Sequence, residues 1–133
     1  NLETLRFGMH PDFRLYPSSL YSAFAYSRKL HTIYDTLNIS YAITTSAKLD
    51  RTFKECFALQ NVKLKGLKVN VSFADSPLLS KDTITYLITN EAATSAVTVT
   101  LHSDVYDKCT TGEWSTDIQA LLATHTNINL ASA

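Results

Sequence analysis

The chain has 133 residues, of which 45% are hydrophobic and 18% are charged, a balance typical of a folded protein and not of a disordered one. Its 12 Lys and Arg equal its 12 Asp and Glu, so the net charge is zero and we expect neither nucleic acid nor a polybasic membrane surface as a partner. No apolar run is long enough to span a bilayer, so membrane insertion is not expected either.

The start of the chain is predicted to be a short strand followed by turns. Residues 2–7 are predicted to be the end of a repeat whose beginning is missing, because Leu2, Leu5 and Phe7 match the apolar spacing of a later repeat and the last two of them alternate with Arg6. A turn-rich connection containing Pro11 and Pro17 should follow Gly8. Because the chain begins at Asn1 without an initiator Met or a signal sequence, we expect a processed or excised C-terminal piece of a longer protein.

The next part of the chain is predicted to alternate turns and strands. Short helical turns are expected at 18–24 and 46–53, and strands around Ile33, at 62–64 and at 67–73, where apolar residues alternate strictly. Asp35 interrupts the strand around Ile33, so that strand should be short or distorted.

The C-terminal tail is predicted to run helix, strand, short turn, helix, strand. Ser80 should cap the first helix, with Asp82 complementing the helix dipole in its first turn. A strand at 96–101 should lead to a brief helical turn capped by Ser103. A second helix capped from Ser115 and a strand at 127–130 complete the tail.

A sequence frame recurs through the first part of the chain. Three places after a Phe comes a small residue, six places after it a Leu, and, in the first two copies, nine places after it an aliphatic residue. The three copies consist of Phe24, Ser27, Leu30 and Ile33, of Phe53, Cys56, Leu59 and Val62, and of Phe73, Ser76 and Leu79. The copies start 29 and 20 residues apart, a spacing that predicts a short leucine-rich-repeat solenoid.

The predicted fold is α/β, with a curved parallel sheet on one side and helices and turns on the other. We expect a single leucine-rich-repeat domain over 1–133, in which 1–79 are irregular repeats and 80–133 are the C-terminal repeat and cap region. A solenoid exposes the apolar edge of its last repeat, and the helix-strand-helix-strand cap is expected to cover that edge.

The frame Phe-x-x-Cys/Ser-x-x-Leu-x-x-Ile resembles the BspA-type leucine-rich repeats of bacterial surface proteins. The segments 79–84, 97–102 and 127–133 resemble the closing part of such proteins from gut Bacteroidales and their phages. The chain departs from the family pattern in lacking Ile-Pro after the strand and in its variable repeat length. The resemblance implies a non-enzymatic recognition module that is extracellular, on a cell surface or on a virion.

The sequence carries no catalytic or metal-binding motif. The four histidines, His10, His31, His102 and His125, include no pair with helical i, i+4 spacing. The three glycines are isolated, which excludes a phosphate-cradling loop, and no Gly-x-Ser-x-Gly elbow is present. We therefore expect no enzyme activity, no cofactor and no metal.

The cysteines and one histidine leave alternatives open. Cys56 occupies the small-residue position of the repeat, which predicts a buried structural thiol. Cys56 and Cys109 permit at most one disulfide. His102 could bind zinc with Asp104, or form a thiol site with Cys109, although a solvated His and an idle Cys are the simpler interpretations.

The candidate ligand-binding residues follow from strand alternation. If the apolar residues of the repeat strands point inward, the residues between them point outward on the concave sheet face. This set consists of Thr4, Arg6, Thr32, Tyr34, Asn61 and Lys63. Stacked in register, Arg6, Tyr34 and Lys63 would form one ladder of residue types that are common in interfaces. The alternative is an ordinary solvated sheet face.

These observations favour a module that binds protein or glycan through the concave face, as part of a larger cell-surface or phage structural protein. One alternative is a structural role in oligomerisation or attachment, with self-association through the open N-terminal end. A second alternative is a hydrolase, which would require a pocket that joins a nucleophile to His102 or His125.

Overall fold

The computed structural model describes residues 2–7 and 14–133, and its class is mixed α/β, as predicted. The elements in chain order are β1 (Thr4–Leu5), β2 (Arg14–Leu15), β3 (Thr32–Asn38), a 3₁₀ helix (Ser46–Leu49), β4 (Asn61–Lys65), β5 (Val71–Phe73), α1 (Lys81–Thr89), β6 (Val97–Leu101), α2 (Ser103–Thr110), α3 (Ser115–Thr124) and β7 (Ile128–Ser132). The predicted turn-rich connection after Gly8 lies partly in residues 8–13, which are outside the described residues. Before Pro17 the prediction of turns was wrong, because β2 forms there and pairs with β3.

The described strands form two small parallel sheets, where one curved sheet was predicted. In the first sheet, β3 pairs with β1, β2 and β4; in the second, the order is β5-β6-β7. Every one of these pairs is parallel, as expected for strands that return through a connecting segment.

The repeated frame brings its phenylalanines together. The rings of Phe24 and Phe53 stack with centroids 5.9 Å apart, and those of Phe53 and Phe73 with centroids 4.7 Å apart. The interplanar angles are 12° and 18°, so the three rings form one column of offset, nearly parallel planes. The frame leucines Leu30, Leu59 and Leu79 are buried beside them.

The backbone repeats as well. Equivalent positions of successive copies are joined by hydrogen bonds: His31 N donates to Glu3 O (2.8 Å), Gln60 N to His31 O (2.9 Å) and Ser80 N to Gln60 O (2.9 Å). Non-glycine residues with positive φ also recur 29 residues apart. They are Ser22 (51°) with Arg51 (57°), and Tyr26 (66°) with Glu55 (54°). The copies therefore share local conformation in addition to their apolar residues.

The turns before the frame phenylalanines are less helical than predicted. Residues 21–26 form turns without a regular helix, and the segment at 46–53 contains only the 3₁₀ helix over its first four residues. Backbone hydrogen bonds between the two segments replace intrahelical ones; Phe24 N donates to Thr52 O at 3.1 Å and Tyr26 N to Lys54 O at 2.7 Å. Such pairing satisfies the same backbone groups without a helix.

Strand β3 is longer than predicted, and its pairing is irregular. It runs over 7 residues, and its register against β4 shifts between Thr32, which pairs with Asn61, and Thr36, which pairs with Lys63. Between these two pairs, three residues of β3 (33–35) thus face a single residue of β4, Val62. Asp35 lies in this irregular part, is 6% exposed, and accepts a hydrogen bond from Phe7 N. A buried carboxylate needs such a partner, so the predicted distortion is present while the predicted shortening is not.

The tail follows the predicted order with longer and differently capped helices. Ser80 caps α1 as expected, its hydroxyl accepting from Thr83 N at 3.2 Å. The turn expected after Ser103 is the 8-residue helix α2, and its cap is His102, whose Nδ1 accepts from Asp104 N at 3.1 Å. Trp114 precedes α3 without a side-chain cap.

The buried apolar residues form one hydrophobic cluster that extends from Leu20 to Ile128 and so joins both sheets to the helices. Gly66 makes the close approach that allows this packing, because its φ is +84° and a Cβ there would lie 2.4 Å from Ser40 Cβ. Within the described ranges, no helix has the length and apolar character needed to cross a membrane.

Candidate functional site

Five of the six predicted binding residues lie on neighbouring strands of the first sheet, and Arg6 directly follows β1. Thr4, Thr32 and Asn61 share one rung, because Thr32 pairs with both of the others. All six side chains are exposed or half-buried, as the alternation of the strands requires. We call this set (Thr4, Arg6, Thr32, Tyr34, Asn61 and Lys63) the polar sheet face.

Arg6 and Tyr34 make a direct contact across this face. The guanidinium carbon of Arg6 lies 4.6 Å from the centroid of the Tyr34 ring, within the range of a cation–π interaction. The Tyr34 side chain is nevertheless 50% exposed. The contact therefore orients an aromatic ring that stays accessible to a ligand.

Lys63 departs from the predicted ladder. The register shift in β3 pairs Lys63 with Thr36, so Lys63 does not lie directly beside Tyr34 on the rung that alternation alone would give. Lys63 and Tyr34 still border the same depression in the surface. Alternation thus predicted the exposure of Lys63 but not its register against β3.

That depression is a groove of about 360 Å³ between the first sheet and helix α1. Its polar and aromatic walls come from Thr32, Tyr34, Asn61, Lys63, Asp82 and Tyr86. We call it the Tyr34–Tyr86 groove. Arg6 and Thr4 do not line this groove. Arg6 instead contacts the ring of Tyr34, which does line it.

Helix α1 supplies one wall because it takes the place of a further strand beside β4. The hydroxyl of Thr83 donates to Gln60 O (2.8 Å) and accepts from Val62 N (3.2 Å), so this side chain pairs with backbone groups at the edge of β4. Asp82 and Tyr86, spaced four residues apart, lie on one helix face beside it. Neither residue was predicted from the sequence to belong to the site, although both lie outside the apolar face formed by Ile84, Leu87 and Ile88.

Asn61 is held in place from both sides of its amide. Its Nδ2 donates to Thr32 Oγ1 at 3.3 Å, and its Oδ1 accepts from Ser80 Oγ at 2.9 Å. A side-chain amide carries two N–H donors and two oxygen lone pairs, so one donor and one acceptor remain beyond these two bonds. Asn61 is exposed and can offer both to a ligand in a fixed orientation.

The cysteines are structural, as predicted for Cys56. Both thiols are free and fully buried, and burial raises the pKa of each from 9.0 to about 11. The Cys56 Sγ donates to Phe24 O at 3.0 Å. A protonated, buried thiol is not activated as a nucleophile.

His102 and His125 each lie near one carboxylate. His102 Nδ1 lies 3.8 Å from Asp104 Oδ2, and His125 Nδ1 lies 3.9 Å from Glu91 Oε2. Among residues 2–7 and 14–133, no three His, Cys, Asp or Glu side chains come together as a group that could hold a metal ion. His10 lies outside the described residues.

No family model, curated protein or solved structure matches this chain. The resemblance to BspA-type repeats therefore depends on this sequence alone, through the frame residues and the three tail segments at 79–84, 97–102 and 127–133.

Proposed function

We propose that this chain is a short leucine-rich-repeat solenoid of the BspA type with a C-terminal cap, and that it acts as a non-enzymatic recognition module. The stacked column of Phe24, Phe53 and Phe73 supports the solenoid, since equivalent residues of successive coils must pack against each other. The hydrogen bonds that join equivalent backbone positions support it too. By the same resemblance, the module belongs to a larger cell-surface or phage structural protein.

The ligand, protein or glycan, binds the polar sheet face. The observation that carries this proposal is the contact of Arg6 with Tyr34, which fixes an exposed aromatic ring beside a groove. An oriented and accessible aromatic ring buries a large area at a small entropic cost when a ligand covers it. Asn61, held from both sides, adds directional hydrogen bonding next to that ring.

The test is the triple variant Arg6→Ala, Tyr34→Ala and Lys63→Ala, measured by binding of labelled protein to intact bacterial and epithelial cells. We expect at least about a tenfold loss of affinity, the size of effect that interface anchors produce. Circular dichroism and the urea midpoint establish that the variant is folded.

The chain offers a control of the same composition. Tyr26, Arg28 and Lys54 are exposed, and none of them lines the Tyr34–Tyr86 groove. The variant Tyr26→Ala, Arg28→Ala and Lys54→Ala should bind like the unmodified chain. Equal binding by both triple variants and the unmodified chain would remove the polar sheet face from consideration.

A second candidate function is attachment or oligomerisation, and a cluster of exposed aromatic residues favours it. The rings of Tyr16 and Tyr41 lie 5.5 Å apart, and Tyr41 is 75% exposed. Tyr16 borders an apolar groove of about 390 Å³ that also contacts Phe7 and Phe24, the first ring of the column. We call this surface the Tyr16–Tyr41 edge.

Analytical ultracentrifugation separates the two candidates. A stable oligomer that persists on dilution, and that Tyr16→Ser with Tyr41→Ser converts to monomer, would favour attachment through this edge. A monomer at all concentrations would leave recognition through the polar sheet face as the function.

A further inference from the structure

The size of the Tyr34–Tyr86 groove limits the kind of ligand it takes. Its volume of about 360 Å³ lies at the lower end of the range typical of small-molecule sites, roughly 300–1,000 Å³. A stable protein partner covers a much larger and flatter area, about 800 Å² on each side. The groove itself therefore fits one or two compact chemical units.

The aromatic residues of the groove indicate which kind of surface the ligand presents to them. Tyr34 enters the groove from β3 and Tyr86 from α1, so the groove has an aromatic ring on each of two elements. The face of an aromatic ring carries negative charge density and attracts weakly positive C–H groups. The ring of a sugar presents such a C–H-rich face, with its hydroxyl groups around the edge.

The charges of the groove argue against a strongly charged ligand. Lys63 and Asp82 line it together, so an anion would meet one carboxylate and a cation one ammonium group. Arg6 already contacts the Tyr34 ring at 4.6 Å, and a second cation near that ring would be repelled by the first.

The polar groups suit a ligand whose hydroxyl groups both donate and accept. Asn61 has one N–H donor and one oxygen lone pair left after its bonds to Thr32 and Ser80. A hydroxyl group can satisfy either of them, and two adjacent hydroxyl groups can satisfy both. The carboxylate of Asp82 adds hydrogen-bond acceptors, and the ammonium group of Lys63 adds hydrogen-bond donors.

From these features we infer that the Tyr34–Tyr86 groove binds a neutral saccharide, with the sugar ring stacked on Tyr34 and two hydroxyl groups hydrogen-bonded to the amide of Asn61. The inference rests on the proposed recognition function and narrows its ligand from protein or glycan to an uncharged glycan. Arg6 is then a positioning residue, which holds Tyr34 without touching the sugar.

The experiment measures binding of the purified chain to an immobilised panel of neutral oligosaccharides, acidic oligosaccharides and deglycosylated extracellular proteins. We expect binding to neutral oligosaccharides, and direct contact of the sugar ring protons with the protein in saturation-transfer NMR. Tyr34→Ala should weaken this binding at least about tenfold, while Tyr34→Phe should stay within about twofold because the ring face is unchanged.

Asn61→Ala gives a second variant that acts on the hydrogen bonds alone. It should weaken binding to the same neutral oligosaccharides by about tenfold, since both remaining amide bonds are lost. Asn61 is exposed, so the variant is expected to fold, and its urea midpoint verifies this.

Different results would overturn the saccharide inference and the recognition function on which it rests. Binding only to the deglycosylated proteins, lost in the Arg6, Tyr34 and Lys63 triple variant, overturns the saccharide inference and leaves the recognition function standing. Binding only to acidic oligosaccharides, or to no saccharide on the panel, also overturns the inference. Cell binding that the triple variant retains in full overturns the recognition function itself.

Discussion

Cys56 occupies the position that Ser27 and Ser76 occupy in the other copies of the frame. The side chain is fully buried, and its Sγ donates to Phe24 O, while the hydroxyl of Ser76 donates to Cys56 O at 2.9 Å. In the second and third copies, the small residue thus ties the copy to the preceding one by a hydrogen bond from its side chain to the backbone. Position three of the frame is a structural position, and a thiol serves there without being reactive.

The raised pKa of the two thiols predicts a loss of stability in alkali. The pKa of each is about 11 in the folded chain against 9.0 ordinarily, so the unfolded chain loses its protons first as the pH rises. Stability should be constant with respect to these groups below about pH 9. It should then fall between pH 9 and 11 by roughly 1 kcal/mol per pH unit for each thiol. Urea unfolding at pH 8, 9 and 10 measures the slope.

The double variant Cys56→Ser with Cys109→Ser is the control for this slope. It differs from the unmodified chain only at these two positions, so any difference in slope belongs to the thiols. The variant should lose less stability between pH 8 and 10 than the unmodified chain. Identical slopes would contradict the account of the cysteines.

At the level of single residues, the sequence predicted chemistry better than backbone conformation. The position of Cys56 in the frame was enough to predict its burial, because a repeat places equivalent residues in equivalent surroundings. The positive φ values of Tyr26 and Glu55 had no such signal. Neither is Gly or Asn, the residues that usually mark that conformation, so only the packed structure reveals them.

At the level of elements, helix α1 decides where the first sheet ends. A strand beside β4 would continue the sheet, whereas α1 begins one residue after Ser80 and covers that edge through Thr83. The Thr83 side chain is 4% exposed and makes two hydrogen bonds to the backbone of the β4 edge. This arrangement closes an edge that would otherwise present unpaired backbone groups.

Replacing Thr83 with Val keeps the shape of the side chain and removes both hydrogen bonds. The backbone groups of Gln60 and Val62 then lose this partner, which should cost about 1–3 kcal/mol of unfolding free energy. Urea unfolding measures the change. Thr83→Ser, which keeps the hydroxyl group, should cost clearly less, and equal stability of the two variants would disprove this function of Thr83.

Capping and β-branched runs predicted elements better than alternation did, because the strict alternation at 67–73 predicted a strand of which only β5 (Val71–Phe73) forms. Ser80 marked the start of α1 because a Ser cap is followed by an acidic first turn, and the β-branched run from Val97 marked β6. Strand β2 lay in a segment dominated by turn residues, and α2 was capped by His102, a residue that propensity does not single out. In those places tertiary contacts decide the outcome.

At the level of the whole molecule, the phenylalanine column connects the successive copies. Phe53 is 1% exposed and stacks on Phe24 on one side and Phe73 on the other. Its ring belongs to the cluster that reaches Ile128 in the last strand. Loss of this ring should therefore weaken the whole structure and not one turn of it.

Phe53→Ala should destabilise the protein by about 3–5 kcal/mol, the usual cost of removing a buried ring and leaving a cavity. Phe57 is the matched control, four residues along the chain and 44% exposed. Phe57→Ala should change the unfolding free energy by no more than about 0.5 kcal/mol. Similar losses in both variants, measured by urea unfolding, would mean that the column is not what holds the copies together.

The candidate site was predictable only in part, for a reason that concerns the whole molecule. Alternation predicted that Arg6 lies beside Tyr34, and the two side chains do make contact, because β1 and β3 pair in regular register up to Leu5 and Ile33. The irregular pairing of β3 changed the register of Lys63, and the helix wall with Asp82 and Tyr86 comes from a distant part of the sequence. A groove between a sheet and a helix depends on packing that no local pattern contains.

Hydroxyl-radical footprinting of the protein bound to intact cells tests the central claim most directly, because tyrosines mark the rival surfaces. Tyr34 and Tyr86 report on the groove, Tyr16 and Tyr41 on the aromatic edge, and Tyr26 on the control surface. If recognition uses the polar sheet face, oxidation of Tyr34 and Tyr86 falls severalfold on binding while that of the other three is unchanged. Protection of Tyr16 and Tyr41 with Tyr34 still fully reactive would contradict it.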